Sequence, residues 1–398
     1  MNIKDYVKKE ENYIVELRRY FHSHPEESLK EYNTCKRIEE ELDKSSIPHR
    51  RVGETGVYAW IDGCADDGIN RTIALRADMD ALKMQDLKDV PYRSQNDGLC
   101  HACGHDSHTA VLLAAAKILN EKKNEFSGQI RLFFQQAEEI GAGARLFVKE
   151  GLMEGVGRVY GSHISSQIKS GCVSLTPGPN NASCDHFTIK VTGKGAHVSK
   201  PHLGVDALYT AAQIIVAEQS IVARNTNPVD TVVVGIGLCN AGTAYNIIAE
   251  HAVIEGTTRC FSPETREFTS RRVREIAESV AAANGASVEI EFEDFAAPLI
   301  NDEDAAREVS AIAERIIPAE NIIHNLEKSL GADDFADYLA KAKGVYAFIG
   351  TRNEENPNTA VPQHHGLFDI DESAMLTSCN LYVDYALEYL QGKTGNDK

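Results

Sequence analysis

Two patterns of hydrophobic residues divide the chain, and they limit the possible folds more than any other feature of the sequence. In the outer segments, short apolar runs typical of strands alternate with helical patterns, as at residues 72–75 and 109–119. This alternation predicts an α/β domain with a mainly parallel sheet flanked by helices. Between residues 184 and 296, four alternating strand patterns accompany two amphipathic helices. We therefore predict one α/β domain from residues 1–183 and 297–398, with a smaller α+β domain inserted at 184–296.

Length and composition exclude several classes of function. The chain has 398 residues, more than the ~250–300 at which single cores stop growing, so two domains are expected. A net charge of -18 argues against binding to nucleic acid or to anionic membranes, because phosphate binding needs a basic face. No segment has the ~20 apolar residues of a membrane span, and the first residues lack the apolar core of a signal peptide. Nine scattered cysteines fit reduced thiols, so we expect a cytoplasmic protein.

The densest group of metal-binding residue types occupies residues 100–108, which hold two thiols, three imidazoles and one carboxyl group. Cys103 and His105 are two positions apart, a spacing that suits zinc or a similar borderline metal in a turn. A chance match or a buried thiol is the alternative for this pair alone. Asp106, His108 and the acids further along the chain favour the metal site.

Two adjacent acids, Glu138 and Glu139, are separated by three residues from a mainly apolar run at residues 130–134 that is typical of a buried strand. Paired acids are usually a solvated helix start. Burial, however, disfavours ionised carboxylates unless a cation is near. Because neighbouring side chains point in different directions, one acid can bind metal while the other accepts a proton from water.

Other candidate residues also come just after predicted strands. Asp78 and Asp80 follow the strand at residues 72–75, with a turn cap or an ion pair with Arg76 as the alternative interpretation. His163 ends another short strand pattern. Because the carboxyl ends of parallel strands meet at one edge of a sheet, we expect these side chains to lie near the paired acids.

The inserted domain contributes three polar candidates. His197 lies in a glycine-containing loop and on its own would be a turn histidine. Asn246 and Arg259 could bind a carboxylate or a developing oxyanion.

With these residues assembled, the sequence resembles the aminoacylase and hippurate-hydrolase type amidohydrolases, a branch of the co-catalytic metallo-exopeptidases. The likeness runs almost from end to end, and its motifs are highly specific together although each is weak singly. The motifs are Phe21-His22-Ser23-His24-Pro25-Glu26, Arg76-Ala77-Asp78-Met79-Asp80-Ala81-Leu82, residues 101–110, 134–139 and 193–201, Gly256-Thr257-Thr258-Arg259, and His364-His365.

The resemblance implies metal-dependent hydrolysis of an amide bond in N-acyl amino acids, or in a related small amide or dipeptide. It implies two divalent ions (Zn, Mn, Ni or Co) as cofactors, bound by Cys103, His105, Glu139, His163 and His364. It also implies that Glu138 is the general base and that Asp80 is a carboxylate that positions the site.

For the inserted domain, the resemblance implies a lid that swings over the substrate and forms a homodimer. His197 would reach across to stabilise the oxyanion. Asn246 and Arg259 would bind the carboxylate end of the substrate.

The sequence departs from the family at several positions without losing any expected ligand. Aspartate replaces glutamate at Asp333, and other residues replace proline at Lys83, Gln136, Ser166, Ala249 and Gly366. Prolines fix backbone shape rather than chemistry, so these changes bear on pocket geometry and substrate preference more than on activity.

Two other functions remain open. Cys103 could be the nucleophile of a cysteine hydrolase with His105 or His163 as its base, although the paired acids have no role in that mechanism. The chain could also be an inactive module that binds small molecules on the same fold, although it retains Glu138 and every candidate ligand.

Overall fold

The structure is a computed structural model that describes residues 2–66 and 68–394. The chain divides into two compact units. Unit 1 takes in the described residues of Met1–Gly178, Ile300–Glu327 and Asp333–Lys398, and unit 2 consists of Pro179–Leu299 and Lys328–Ala332. The short strands Gly178–Asn181 and Leu299–Asn301 lie where the chain passes from one unit to the other.

Unit 1 is built on an eight-stranded sheet. From one edge to the other its strands are His49–Val52, Gly56–Asp62, Gln129–Gln135, Thr72–Asp78, Arg158–Lys169, Gly344–Arg352, Val173–Ser174 and Ile322–Ile323. The four central strands run parallel to one another, and antiparallel strands lie towards both edges. The prediction of an α/β domain with a mainly parallel sheet is therefore confirmed.

Helices cover this sheet. They are Ile3–Lys9, Glu11–Ser23, Tyr32–Lys44, His105–Glu121, Gly143–Lys149, Glu303–Ile316, Ala336–Leu339 and Ala374–Leu390, with short 3₁₀ turns at Lys123–Glu125, Ala319–Asn321 and Pro357–Ala360. The helix His105–Glu121 is buried along most of its length, between Glu11–Ser23 and Ala374–Leu390. A helix that is apolar on most sides is typical of such an interior position. None of the described helices has both the length and the hydropathy of a membrane span.

Unit 2 is a smaller α+β structure, as the sequence predicts. Its antiparallel sheet has the order Val232–Ala241, His251–Cys260, Cys184–Thr192, Ser287–Ala296. The helices Ala207–Ser220 and Pro263–Ala283 pack on this sheet, and a π turn at Ile221–Asn225 ends the first of them. A second, two-stranded sheet pairs Ala196–His197 with Ile247–Ile248, and a 3₁₀ turn follows at Pro201–Leu203.

Three boundaries differ from the sequence patterns, and all three lie near the candidate site. The helix predicted at 109–119 begins at His105, because Gly104 takes a left-handed φ of +90° that lets the chain turn into it. The strand predicted to end at His163 continues to Lys169, so the expectation that His163 follows a strand was wrong. Polar residues after His163 interrupt the hydrophobic pattern, so the sequence does not show that the strand continues. Asp78 is the last residue of its strand and does not lie beyond it.

Glu218 is an acid inside the hydrophobic core of unit 2. It lies on the inward stripe of its helix with Ala211 and Ile214, and its exposed fraction is 0%. Neither carboxyl oxygen has a hydrogen-bond partner among the described residues, and burial raises its pKa from 4.5 to about 8. The folded state thus keeps this group protonated at neutral pH, at a cost in free energy.

We expect Glu218→Met to raise the free energy of unfolding at neutral pH by about 2 kcal/mol, because it removes a buried polar group without a partner. The folded pKa lies above the unfolded one, so wild-type stability falls as pH rises from 4.5 towards 8, and the gain should be larger at pH 9 than at pH 5. Urea denaturation at three pH values measures this. The exposed Glu278 offers the control, Glu278→Met, with an effect below ~0.5 kcal/mol. Equal stability of wild type and Glu218→Met at pH 9 would contradict the expectation.

Candidate metal centre

Five side chains that the sequence singles out lie together in unit 1. Cys103 Sγ is 3.4 Å from His163 Nε2, and His105 Nε2 is 3.9 Å from Glu139 Oε1. His364 Nε2 is 3.5 Å from Glu139 Oε2. Potential ligand atoms of Cys103, His105 and His163 lie within 4.8 Å of one another, and the same holds for Cys103, Glu139 and His364. The side chains therefore form two adjoining groups that share the thiol.

The loops that carry these residues are tied to each other by their backbones. His364 has a left-handed φ of +62°, which is uncommon for a residue with a Cβ atom, and its N–H donates to Ala102 O at 2.8 Å. At Gly104 a Cβ atom would lie 2.5 Å from the side chain of Ile164, so only glycine fits between Cys103 and His105. Strained conformations of this kind persist where the surrounding structure enforces them, often at functional sites.

The donor set fits divalent metal ions. His105 Nδ1 donates to Asp80 O at 2.9 Å, and His163 Nδ1 donates to Ile164 O at 2.7 Å, so Nε2 is the nitrogen that each ring can offer to a metal ion once it carries no proton. Among the described residues, His105 Nε2 and Glu139 Oε1 are buried without a hydrogen-bond partner. Such atoms are costly unless a ligand or ion satisfies them. A thiol, imidazoles and a carboxylate together suit zinc and neighbouring transition metals.

The pKa shifts of the side chains in this cluster also favour a bound cation. Burial raises the pKa of the Cys103 thiol well above its usual range and that of Glu139 to about 7, with further increases from nearby carboxylates. Burial lowers the pKa of His163 to about 3, so this ring is neutral. Burial also opposes charge on His105, but Asp78 and other carboxylates outweigh it and raise that pKa to about 10. A divalent cation would relieve this crowding of acids and favour their ionised, ligating forms.

Glu138 has an environment suited to proton transfer. Its exposed fraction is 6%, and burial together with the carboxylates of Asp333 and Glu139 raises its pKa well above the usual value. A carboxyl group that both accepts and returns a proton works best when its pKa is raised towards neutrality.

Asp80 fixes the direction of both paired acids. Its two carboxylate oxygens accept hydrogen bonds from the backbone N–H groups of Glu138 and Glu139, each at 3.1 Å. Its backbone oxygen accepts from His105, and Ser28 Oγ donates to its carboxylate at 2.6 Å. One buried aspartate thereby connects the proposed base with two of the proposed ligands.

A buried guanidinium group, that of Arg76, binds acids next to the cluster. Arg76 is 1% exposed, pairs with Asp78, and donates to Asp334 Oδ1 and Gln135 Oε1, each at 2.9 Å. Asp78 Oδ1 in turn lies 2.6 Å from His108 Nδ1. The ion pair considered as an alternative for Asp78 is therefore present, and Asp78 Oδ2 also lies 3.8 Å from His105 Nε2, so Asp78 borders the five side chains.

Two of the departures from the family lie beside this network. Gln136 donates through Nε2 to Val52 O at 3.2 Å, and a Cβ atom at Gly56 or Gly143 would collide with Gln136. Asp333 accepts from Tyr346 Oη at 2.5 Å. Both residues are thus held by hydrogen bonds to strands of unit 1.

A cysteine-nucleophile mechanism fits this geometry poorly. A nucleophilic thiol needs a lowered pKa, whereas burial and nearby acids raise that of Cys103.

The three candidates of unit 2 are exposed or partly exposed. His197 pairs with Ile247 through its backbone, and its Nδ1 accepts from Ser199 N–H at 3.1 Å, which leaves the proton on Nε2. The backbone oxygen of Asn246 accepts from Val198 N–H at 3.1 Å. This places His197 and Asn246 in the same small sheet region, whereas Arg259 lies on the strand His251–Cys260.

Sequence patterns missed Ser28, Glu31 and Arg18. Arg18 donates to Asp106 Oδ2 at 2.9 Å and to Asp369 Oδ1 at 2.8 Å, so it links the segments that carry His105 and His364. These residues lie far from their partners in sequence, and a single acid or arginine in a helical pattern gives no local signal. Only the neighbouring motif Phe21–Glu26 pointed to this region.

The comparisons with known proteins agree with this geometry. Residues 74–388 match the model of Peptidase family M20/M25/M40. The N-acetyl-L-cysteine deacetylase of Bacillus subtilis is 38% identical over 381 residues, which cover 96% of this chain and 89% of that protein. Thermostable carboxypeptidase 2 of Saccharolobus solfataricus is 39% identical over 392 residues, which cover 97% of this chain and 98% of that protein.

Among solved structures, the YXEP protein of Bacillus subtilis is described as a dinuclear metal-binding peptidase of the M20 family. It superposes with a TM-score of 0.82 at 34% identity and covers 96% of this chain and 99% of its own. The resemblance inferred from the motifs, the fold class and the assignment as a hydrolase are thereby confirmed. The chain belongs to Peptidase family M20/M25/M40.

Proposed function

We propose that this protein hydrolyses the amide bond of an N-acyl amino acid, or of a related small amide or dipeptide, with two divalent metal ions. The observation that carries this proposal is the convergence of the five side chains beside the buried carboxyl group of Glu138. The names of the relatives support it, since one is a deacetylase of N-acetyl-L-cysteine and another a carboxypeptidase.

The proposed ligands are Cys103, His105, Glu139, His163 and His364. Bound divalent ions (Zn, Mn, Ni or Co) would polarise the amide carbonyl and lower the pKa of the attacking water. The chain itself contributes the buried thiol, the neutral His163 ring and Nε2 of His105, which would release its proton on binding a metal ion. His364 is the most exposed of the five side chains that form the site, so it lies nearest to solvent.

Glu138 acts as general base in this proposal. It accepts a proton from water as the amide carbon is attacked, and it returns that proton to the leaving amine. Asp80 accepts a hydrogen bond from the backbone N–H of Glu138 throughout, so the carboxyl group of Glu138 is already positioned for proton transfer. The products are a carboxylic acid and an amino acid.

We further propose that the inserted domain, residues 184–296, acts as a lid and as the homodimer interface. His197 Nε2 carries a proton that suits an oxyanion, and Asn246 and Arg259 are accessible for a substrate carboxylate. Exposed apolar side chains on the helix Ala207–Ser220, among them Tyr209 and Val216, support a protein interface.

The protein is proposed to act in the cytoplasm on small molecules rather than on nucleic acid or at a membrane. All nine cysteines are free thiols in the structure, which fits a reducing compartment. The net charge of -18 disfavours polyanionic partners.

A substrate panel with metal control tests the proposal. We expect the purified protein to hydrolyse at least one of a set of N-acetyl amino acids, N-benzoyl amino acids and dipeptides. Chelation should abolish this activity, and one of the four metals should restore it. Full activity after chelation would favour the thiol mechanism instead. Binding of a panel member without hydrolysis would favour an inactive binding module.

A further inference from the structure

The turn that precedes the paired acids has an unusual backbone conformation. Ala137 has a φ of +56° and is fully buried. A residue with a Cβ atom disfavours this left-handed region, which glycine enters freely. Contacts around Ala137 must therefore enforce the conformation.

The carboxyl group of Glu31 makes one of the contacts that hold Ala137, whose backbone oxygen also accepts from Ala142 N–H at 3.1 Å and Gly143 N–H at 3.3 Å. Glu31 Oε1 accepts the Ala137 N–H at 2.9 Å, and its Oε2 accepts the Thr55 hydroxyl at 2.7 Å. Glu31 has an exposed fraction of 0%, and the charged neighbour that acts on it is the carboxylate of Asp80 and not a cation. A carboxyl group buried in this way is costly unless its hydrogen bonds serve the fold or the site.

Glu31 and Asp80 together fix three successive backbone N–H groups. Glu31 accepts from Ala137, while Asp80 accepts from Glu138 and Glu139. The two carboxylates come from different segments, the start of the helix Tyr32–Lys44 and the residues after the strand Thr72–Asp78. Because these three consecutive N–H groups are held, the directions of the Glu138 and Glu139 side chains are also set.

We propose that Glu31 is a positioning residue that imposes the left-handed conformation on Ala137 and thereby directs Glu138 and Glu139. This inference rests on the proposed function of those acids as base and ligand. Without Glu31, Ala137 relaxes to an ordinary φ, and both acids leave the metal centre. Glycine at position 137 needs no such support, because it tolerates the left-handed φ by itself.

The test compares Glu31→Ala, Glu31→Gln, Ala137→Gly and the double variant Glu31→Ala/Ala137→Gly in the full chain. We expect Glu31→Ala to lower kcat about 100-fold with a smaller change in KM, since small displacements of catalytic groups have effects of this size. Glu31→Gln keeps an acceptor oxygen and should retain most of kcat. The double variant should recover at least ~10-fold of the lost kcat.

Glu26, in the same segment before the helix Tyr32–Lys44, gives a matched control. Its carboxylate accepts from Asn33 N–H at 2.9 Å and Thr34 N–H at 2.8 Å and makes no bond to Ala137. Glu26→Ala should therefore lower thermal stability without rescue by Ala137→Gly. A purely structural role of Glu31 predicts the same pattern for Glu31→Ala.

Cobalt affinity supplies a second readout that does not depend on substrate. Glu31→Ala should weaken Co²⁺ binding, and Ala137→Gly should restore it in the double variant. If wild type binds Co²⁺ but cleaves no panel member, the proposed function fails while this comparison still tests Glu31. A wild-type kcat and Co²⁺ affinity in Glu31→Ala would overturn the inference. So would a double variant that is unfolded or no better than Glu31→Ala.

Discussion

Glu138→Gln is expected to lower kcat by about 10³-fold while the bound metal stays close to the wild-type amount. Glutamine has nearly the same shape and keeps the backbone N–H that donates to Asp80 at 3.1 Å, but it cannot accept a proton from water. General base catalysis contributes ~10²–10⁴-fold, and this variant removes it without opening a cavity. Steady-state kinetics and elemental analysis of the same preparation measure the two quantities.

The exposed acid Glu121, at the end of the helix His105–Glu121, provides the control. Glu121→Gln removes one negative charge from the same unit and should leave kcat within twofold. If Glu138→Gln keeps its activity, the base is another group. If it loses its metal, Glu138 is a ligand and the assignments of the two acids must be exchanged.

Cys103→Ala is expected to remove both metal and activity. The thiol belongs to both groups of candidate ligands, so its loss affects each of them. Histidine and carboxylate ligands remain, but they lose the soft donor that these metals favour. Elemental analysis after dialysis should show less than half of the wild-type metal content, and kcat should fall to the level of chelated wild type.

Cys100→Ala is the matched control for this experiment. Cys100 is fully buried three residues earlier, with its sulfur 3.9 Å from Lys88 Nζ. It lies outside the five proposed ligands, so the variant should lose some stability and keep its metal. A full metal complement in Cys103→Ala would exclude Cys103 as a metal ligand. Equal metal loss in both variants would mean that the segment, and not the thiol, was disturbed.

The general fold was predictable from sequence because hydrophobic periodicity reports local structure directly. The apolar runs at 130–134 and 72–75 mark strands that are buried on both faces. Their exact ends were not predictable where polar residues continue a strand, as after His163, or where a glycine turn starts a helix early, as at Gly104.

Cys103, His105 and the paired acids were recognisable because such residue types are rare in dense local motifs, whereas the full set with His163 and His364 came from the resemblance to the family. The contacts that hold them were not recognisable, since they connect segments far apart in the chain. Glu31 binds Ala137, and Arg18 binds both Asp106 and Asp369. No periodicity encodes such pairs, because each depends on how strands and helices assemble in three dimensions.

The central claim is that five side chains of unit 1 hold two divalent ions next to Glu138. Anomalous diffraction from crystals of the metal-loaded full chain, recorded at the absorption edge of the bound metal, tests it most directly. We predict two peaks per chain, within ~2.0–2.4 Å of donor atoms of Cys103, His105, Glu139, His163 and His364. A single peak, peaks at other residues, or no peak after loading would contradict the account.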